Sequence, residues 1–248
     1  MESERSPVVV GLIGVISLAL GVLAGAGCGG RALVLGGERP GVDGGAGDAS
    51  NGDACPHARV AANAVLWTGD TWVTLPGTQH TGVRDRARVA GAIGPADDYA
   101  IAAAPATTMA QIAAQYDTRQ AGANKVRVLI SVGGGWDIVI AGSGDGAAAV
   151  AQTFERHLAT VAADGTVERI LFFFYPDLPA VPGLGTLRPL MRQACAQSTV
   201  PCAFLDLQPL WAGHPEYIDG SGIQASEAGA AVIADALWDQ MQRTCIAQ

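Results

Sequence analysis

The segment Trp67-Thr68-Gly69-Asp70-Thr71 follows the short apolar run Val65-Leu66 and sits where a strand would hand over to a helix. A hydroxyl held on such a turn can attack an acyl carbon if a neighbouring base takes its proton. The hydroxyl here belongs to Thr71, whose extra methyl restricts rotation and crowds the line of attack. A base has to come from elsewhere in the chain, which has four histidines: His57, His80, His157 and His214. His80 falls in the Gly-rich loop Pro76-Gly77-Thr78-Gln79-His80 and His214 precedes Pro215, so these two are the candidate substitute bases. His57 sits beside Cys55, and His157, next to Arg156 in mid-helix, reads as a solvated surface residue. No metal and no cofactor is implied, because the histidines are never three or four apart and no carboxylate cluster accompanies them. Trp67, Trp72 and Trp136 fall on the same expected face, where aromatic rings could stack on a sugar or line an acyl pocket. For Trp67, core packing is the better reading.

These residues need a scaffold that brings distant turns together. After the first 50 or so positions, apolar runs alternate with helix-like stretches, the pattern of a parallel sheet covered by helices on both faces. Strands are expected at Val65–Trp67, Asp98–Ala102, Val126–Val132, Ile170–Tyr175 and Ala203–Leu207. Aliphatic spacing of three or four predicts helices over Thr108–Ala121, Ala147–Ala162, Leu187–Gln197 and Ser226–Gln242, the last capped by Ser226. Gly133-Gly134-Gly135 and Pro176 mark the carboxyl ends of strands. In open parallel sheets ligands bind at that edge, so the loops at Gly69, Gly133 and Pro176 should meet in one crevice. The Gly-rich run lacks the glycine spacing and the following helix start of a dinucleotide site.

In order and spacing these turns resemble the blocks of the SGNH/GDSL hydrolases, a family of esterases, lipases and carbohydrate deacetylases. Thr68-Gly69-Asp70-Thr71 resembles the first block, Gly-Asp-Ser, whose serine is the nucleophile. Pro105-Ala106-Thr107-Thr108 resembles the second, Ser-Gly-Ala-Thr, whose glycine amide helps hold the oxyanion. Gly134-Gly135-Trp136-Asp137 resembles the third, Gly-x-Asn-Asp, whose asparagine is another oxyanion donor. Asp219 to Gly229 resembles the last, Asp-Gly-Ile-His-Pro-Ser-Glu-Ala-Gly. The resemblance spans about Val65 to Leu237 and implies a flavodoxin-like three-layer α/β/α sandwich around a central parallel sheet, acting on ester or O-acetyl bonds.

The departures bear directly on that chemistry. Gln224 stands at the histidine position, Ser221 at the aspartate position and Trp136 at the asparagine position. Glutamine cannot serve as a base near neutral pH, and indole offers one donor in much more volume. The amides of Ala106 and Thr71 could still make a two-donor hole, since backbone donors do not depend on the side chain. Loss of a triad member leaves roughly a thousandfold to ten-thousandfold catalysis over water. The resemblance therefore implies either a hydrolase with impaired catalysis or a pseudoenzyme that holds a glycan or acyl ligand.

Composition narrows the partners. The chain has 248 residues, 49% of them apolar, and a net charge of -8. That charge argues against nucleic acid, which needs a basic face. Val8 to Gly27 is an apolar stretch ending in Leu23-Ala24-Gly25-Ala26-Gly27-Cys28, which resembles a bacterial lipobox with Cys28 as the lipidated residue. Glu2 and Glu4 offset Arg5, so the usual positive front is missing. An uncleaved anchor is the alternative, since about 20 apolar residues span a bilayer. The reading is an exported protein, either anchored to the membrane through lipid or periplasmic or extracellular. It has a leader at 1–28, a Gly/Asp-rich tether at 29–54 and one domain at 55–248. Four cysteines remain once Cys28 is set aside, an even number that favours disulfides. The expected bridges are Cys195–Cys202, across a helix end and a strand start, and Cys55–Cys245.

Overall fold

A computed structural model describes residues 60–74 and 79–246, the side chains of Gln79 and His80 excepted. The expected leader and tether, with Cys28, Cys55 and His57, lie outside the described residues. Five strands form one sheet: β1 (Val65–Thr68), β2 (Ala100–Ile101), β3 (Val128–Ser131), β4 (Arg169–Phe174) and β5 (Cys202–Asp206). Their order is β2-β1-β3-β4-β5 and every pairing is parallel. The helices are α1 (Thr71–Thr74), α2 (Gln79–Val89), α3 (Met109–Gln120), α4 (Gly135–Ala141), α5 (Ala147–Asp164), α6 (Leu184–Gln197), α7 (Gln208–Trp211) and α8 (Glu227–Arg243).

The strands read as unbroken apolar runs because helices cover both of their faces. Val65, Leu66, Trp67 and Thr68 are all buried, as are Val128 to Ser131. The edge strands differ: β5 is half-buried throughout, and β2 shrinks to two residues. Trp67 is fully buried in the core, as expected. The α3 prediction was close because its ends are chemically marked. Thr108 and Gln111 form a reciprocal capping box at its start. Ser226 caps α8 by accepting from the Gly229 amide.

Three expectations need correction. The Gly-rich run is followed by a helix after all: α4 starts at Gly135, though at seven residues it is too short to show an apolar period. His80 lies in α2 rather than in a loop, because helix resumes at Gln79. His157 is buried at 3% exposure on α5, edge-on to the Tyr116 ring of α3 with centroids 5.5 Å apart. Its place on the inner side of α5 is shared with Phe154, Leu158 and Val161, which are buried with it. The Arg156 beside it in sequence points outward, as adjacent helical residues do.

The Cys195–Cys202 disulfide joins α6 to the start of β5, with Cα atoms 5.3 Å apart. Cys245 is also disulfide-bonded. Its expected partner, Cys55, falls outside the described residues. Among the described residues no helix is long and apolar enough to cross a membrane.

Candidate functional site

The sheet order reverses direction between β1 and β3, so the turns leaving those strands diverge and open a crevice at their carboxyl ends. Gly69 makes the first of these turns possible. Its φ is +148°, and a Cβ there would come within 2.8 Å of the Val132 side chain and 2.9 Å of the Val132 carbonyl. Gln115 of α3 clamps the same residue, accepting from its amide at 2.9 Å and donating to its carbonyl at 3.1 Å. Thr107 donates to that carbonyl as well, at 3.1 Å. The turn presenting Thr71 is therefore fixed from both sides.

Ala106 donates its amide to the Thr71 hydroxyl oxygen at 3.1 Å. It does so from φ +53°, a left-handed conformation that costs a residue with a Cβ about 1–2 kcal/mol. That is the position at which the resemblance implies glycine, so the backbone has kept a glycine's shape around an alanine. The result is a hydroxyl and an amide donor facing one another, with the amide already engaged.

Behind them sits a buried acid. Asp70 accepts from the Trp72 amide at 3.0 Å and from the Tyr175 hydroxyl at 2.6 Å. The Gly135 amide, which opens α4, donates to Tyr175 in turn at 3.3 Å. Burial pushes the Asp70 carboxyl up to about 6, against the pull of those two hydrogen bonds. Tyr175 is held well above its ordinary value by burial and by the neighbouring Asp70. Asp137 accepts from the Met109 amide at 2.8 Å and so ties α4 to the start of α3, and burial raises its carboxyl too. Arg188 holds the Tyr175 carbonyl at 3.1 Å and pairs with Asp177 at 2.7 Å.

A cavity of about 300 Å³ opens over these groups. Its walls are Asp70, Thr71 and Trp72 after β1, Ala106, the α4 residues Gly135, Trp136 and Val139, then Tyr175, Leu178, Val181 and Leu184 after β4, and Ile223 with Gln224. The three turns at Gly69, Gly133 and Pro176 thus converge. The Trp72 indole donates to the Ile223 carbonyl at 3.1 Å, which holds the last block against the first.

Thr71, Ala106, Trp136 and Gln224 come together here. Ser221 does not: it is exposed, and its hydroxyl and amide both donate to Asp219 in a local turn. Asp219 thus receives both groups on one carboxylate oxygen. His214 is also absent from the cavity walls. It is exposed, stacked on Tyr217 with centroids 4.5 Å apart, and paired with Glu216 at 2.8 Å. The imidazole of this expected substitute base is engaged by Glu216 and Tyr217, within its own turn. The His80 side chain lies outside the described residues. Among the described side chains no imidazole lines the cavity, and no cluster of His, Cys, Asp and Glu could hold a metal.

Sequence reasoning missed the apolar wall of Val139, Leu178, Val181 and Leu184. Only the i, i+3 spacing of the last three hinted at a shared face. Tyr175 was visible as a strand end but not as the partner of Asp70, a contact spanning 105 residues.

No family model matches the sequence, and no curated protein is detectably similar to it. Solved structures with a similar fold include a family 3 carbohydrate esterase from Clostridium thermocellum (18% identical, TM-score 0.59, covering 73% of this chain and 98% of that one). TesA is similar at 17% identity and TM-score 0.59, over 73% of this chain and 98% of its own. Axe2, an acetylxylan esterase from Geobacillus stearothermophilus, is similar at 13% identity and TM-score 0.56, over 74% and 96%. At these identities the likeness establishes the fold: this chain has the α/β/α architecture of SGNH-type esterases.

Proposed function

We propose that this chain descends from SGNH-type ester hydrolases, still binds an ester in the Thr71 cavity, and turns it over far more slowly than an enzyme with an intact triad. The observation that carries the proposal is the Thr71 hydroxyl facing the Ala106 amide at 3.1 Å, in a cavity lined by Gln224 at the position where the resemblance implies histidine. The pair supplies a nucleophile position and one oxyanion donor. Among the described side chains, none that lines the cavity supplies a histidine as proton acceptor. Gln224 carries an amide with no basic lone pair, and Asp70, though raised to about 6, is turned toward Trp72 and Tyr175. Thr71 then attacks only at the rate its protonated hydroxyl permits. The esterase and acetylesterase names of the structurally similar proteins support the same substrate class, small-molecule or carbohydrate esters.

In use, the ester carbonyl would approach Thr71 as the Ala106 amide swings its hydrogen bond from the hydroxyl to the carbonyl oxygen. Thr71 Oγ then adds to the carbonyl carbon, its proton passes through water to the departing alcohol, and a second water cleaves the threonyl ester to release the acid and restore the hydroxyl. Hydrolysis of p-nitrophenyl butyrate measures the outcome. The expected wild-type rate exceeds the blank, and Thr71→Ala lowers it toward the background that binding and the Ala106 amide sustain without a nucleophile. An unchanged rate in Thr71→Ala would sink the nucleophile assignment. If no rate exceeds the blank and esters nevertheless bind, the cavity belongs to a binding module.

The setting proposed for this activity is the bacterial envelope, with Cys28 lipidated, 29–54 as tether and 55–248 as the displayed domain. The Cys195–Cys202 disulfide supports an oxidising compartment. Incorporation of labelled palmitate that persists in Cys28→Ala would exclude the anchor.

A further inference from the structure

Cleavage of the threonyl ester by water needs a group that takes a proton from that water. Among the described cavity walls, Asp70 and Tyr175 are the acidic groups, and they are joined to each other. The Tyr175 hydroxyl donates to Asp70 Oδ2 at 2.6 Å, the length of a charge-assisted bond. The other carboxylate oxygen is engaged by the Trp72 amide at 3.0 Å. The Tyr175 oxygen accepts from the Gly135 amide at 3.3 Å, and its second lone pair has no partner among the described residues. The ring is held from three sides. Arg188, 7% exposed, donates to the Tyr175 carbonyl at 3.1 Å, and the Trp72 ring stands edge-on at 5.4 Å. A Cβ on Gly135 would come within 2.8 Å of the Tyr175 ring, so glycine there lets the amide and the hydroxyl meet. A carboxylate is an expensive way to hold a turn at 5% exposure, because an asparagine would bury no charge. What the carboxylate adds is a proton acceptor one residue from Thr71.

We propose that Tyr175 and Asp70 form a proton relay that serves the second, water-consuming step of the reaction. This rests on the ester-hydrolysis reading above and supplies its missing base. Water adds to the acyl carbon of the threonyl ester, its proton goes to the Tyr175 oxygen, and the Tyr175 proton goes to Asp70. As the tetrahedral centre collapses, the bond from carbon to Thr71 Oγ breaks and a proton returns from Asp70 through Tyr175 to that oxygen. The acid leaves and the hydroxyl is restored. Tyr175 touches the reacting water, and Asp70 acts through it. The phenol never ionises, in keeping with a hydroxyl held well above its ordinary value. Burial brings the Asp70 carboxyl up to about 6, which suits a base working near neutral pH. The charged groups around the pair are Asp137 of α4, which raises both, and Arg188 with Asp177 behind the Tyr175 carbonyl.

The test uses the full chain and p-nitrophenyl butyrate. Blank-corrected butyrate release is followed from about pH 4.5 to 8.5, and butyryl-Thr71 is measured by mass spectrometry after a quench. The wild-type rate should climb as Asp70 ionises through about pH 6 and then level off. Tyr175→Phe and Asp70→Asn should each lower the plateau about a hundredfold, the lower end of what a positioned base supplies, and accumulate butyryl-Thr71. The double variant should be no slower than either single one. A wild-type rate with no step near pH 6, or a Tyr175→Phe protein that keeps both rate and step, would overturn the relay and leave ester hydrolysis standing. Slower release without the adduct would place the loss in the first step and overturn the relay as drawn. The wild-type profile decides even where a substitution unfolds the chain. Absence of both release and adduct in wild type would overturn the ester-hydrolysis reading and the relay with it.

Discussion

Replacing His157 by phenylalanine should alter how stability depends on pH, by an amount the structure allows to be worked out. The imidazole is 3% exposed, and neither ring nitrogen has a hydrogen-bond partner. It faces the Tyr116 ring, whose own hydroxyl is spent on Asp164 at 2.8 Å. Burial alone therefore holds the imidazole down to about 4, from 6.5 when exposed. Below pH 6.5 the unfolded chain takes a proton that the folded chain refuses, so stability is lost as pH falls and the loss is complete near pH 4. Between pH 7.5 and 4.5 that loss is about 2.5 kcal/mol, at 1.36 kcal/mol per pH unit below 6.5. Phenylalanine does not titrate. At pH 7.5 its effect depends on how relief of two unpaired nitrogens balances slight overpacking, each of order 1–3 kcal/mol. The change with pH is free of that balance. Thermal unfolding of both proteins at pH 7.5 and 4.5 should show the variant gaining about 5–10 °C relative to wild type, since 1 kcal/mol shifts a domain of this size by about 2–4 °C. A difference that stays constant across this range would mean that His157 is solvated or paired, and the argument from burial would fail.

Two further predictions concern the site. Ala106→Gly should stabilise the fold by about 0.5–1 kcal/mol, because relief of the left-handed strain at φ +53° exceeds the entropy glycine adds to the unfolded chain, and denaturant titration measures it. The amide facing Thr71 is kept in that variant, so ester hydrolysis should not fall. Asp70 titrates with the opposite sign to His157. Its carboxyl is near 6 when folded and 3.8 when exposed, so the folded chain protonates first and stability rises as pH falls through 6, by about 3 kcal/mol in all. Asp70→Asn should remove that rise, seen as a stability difference from wild type that moves against the variant by about 2–3 kcal/mol between pH 7.5 and 4. It should also weaken the site at every pH, because one amide oxygen must serve both the Trp72 amide and the Tyr175 hydroxyl. A pH-independent difference would mean that Asp70 keeps an ordinary acidity.

The sequence determined the elements and their order. Short apolar runs at β1 and β3, bounded by turn residues, read as strands buried on both faces, and the cap at Ser226 marked where α8 begins. Turn chemistry placed Gly69 and Thr71 at the end of β1, and a sequence separation of 7 between Cys195 and Cys202 was enough to anticipate their bridge. These are local features, written in residue type and short spacing. What escaped was short or depended on side-chain direction. Helix α4 is too brief for periodicity, and His157 could not be told from its solvated neighbour Arg156 without knowing which side of α5 faces α3.

The candidate site divides in the same way. Thr71, Ala106, Trp136 and Gln224 were identified as positions, but only the tertiary structure decided which of them meet. It placed Ser221 in a turn with Asp219, set His214 against Glu216 outside the cavity, and joined Asp70 to Tyr175 across 105 residues of chain. It also assembled an apolar wall from segments after β3 and β4 that have no sequence signal in common. A strand end can be read from its own residues. A cavity is made of surfaces facing one another, and facing is a property of the folded backbone.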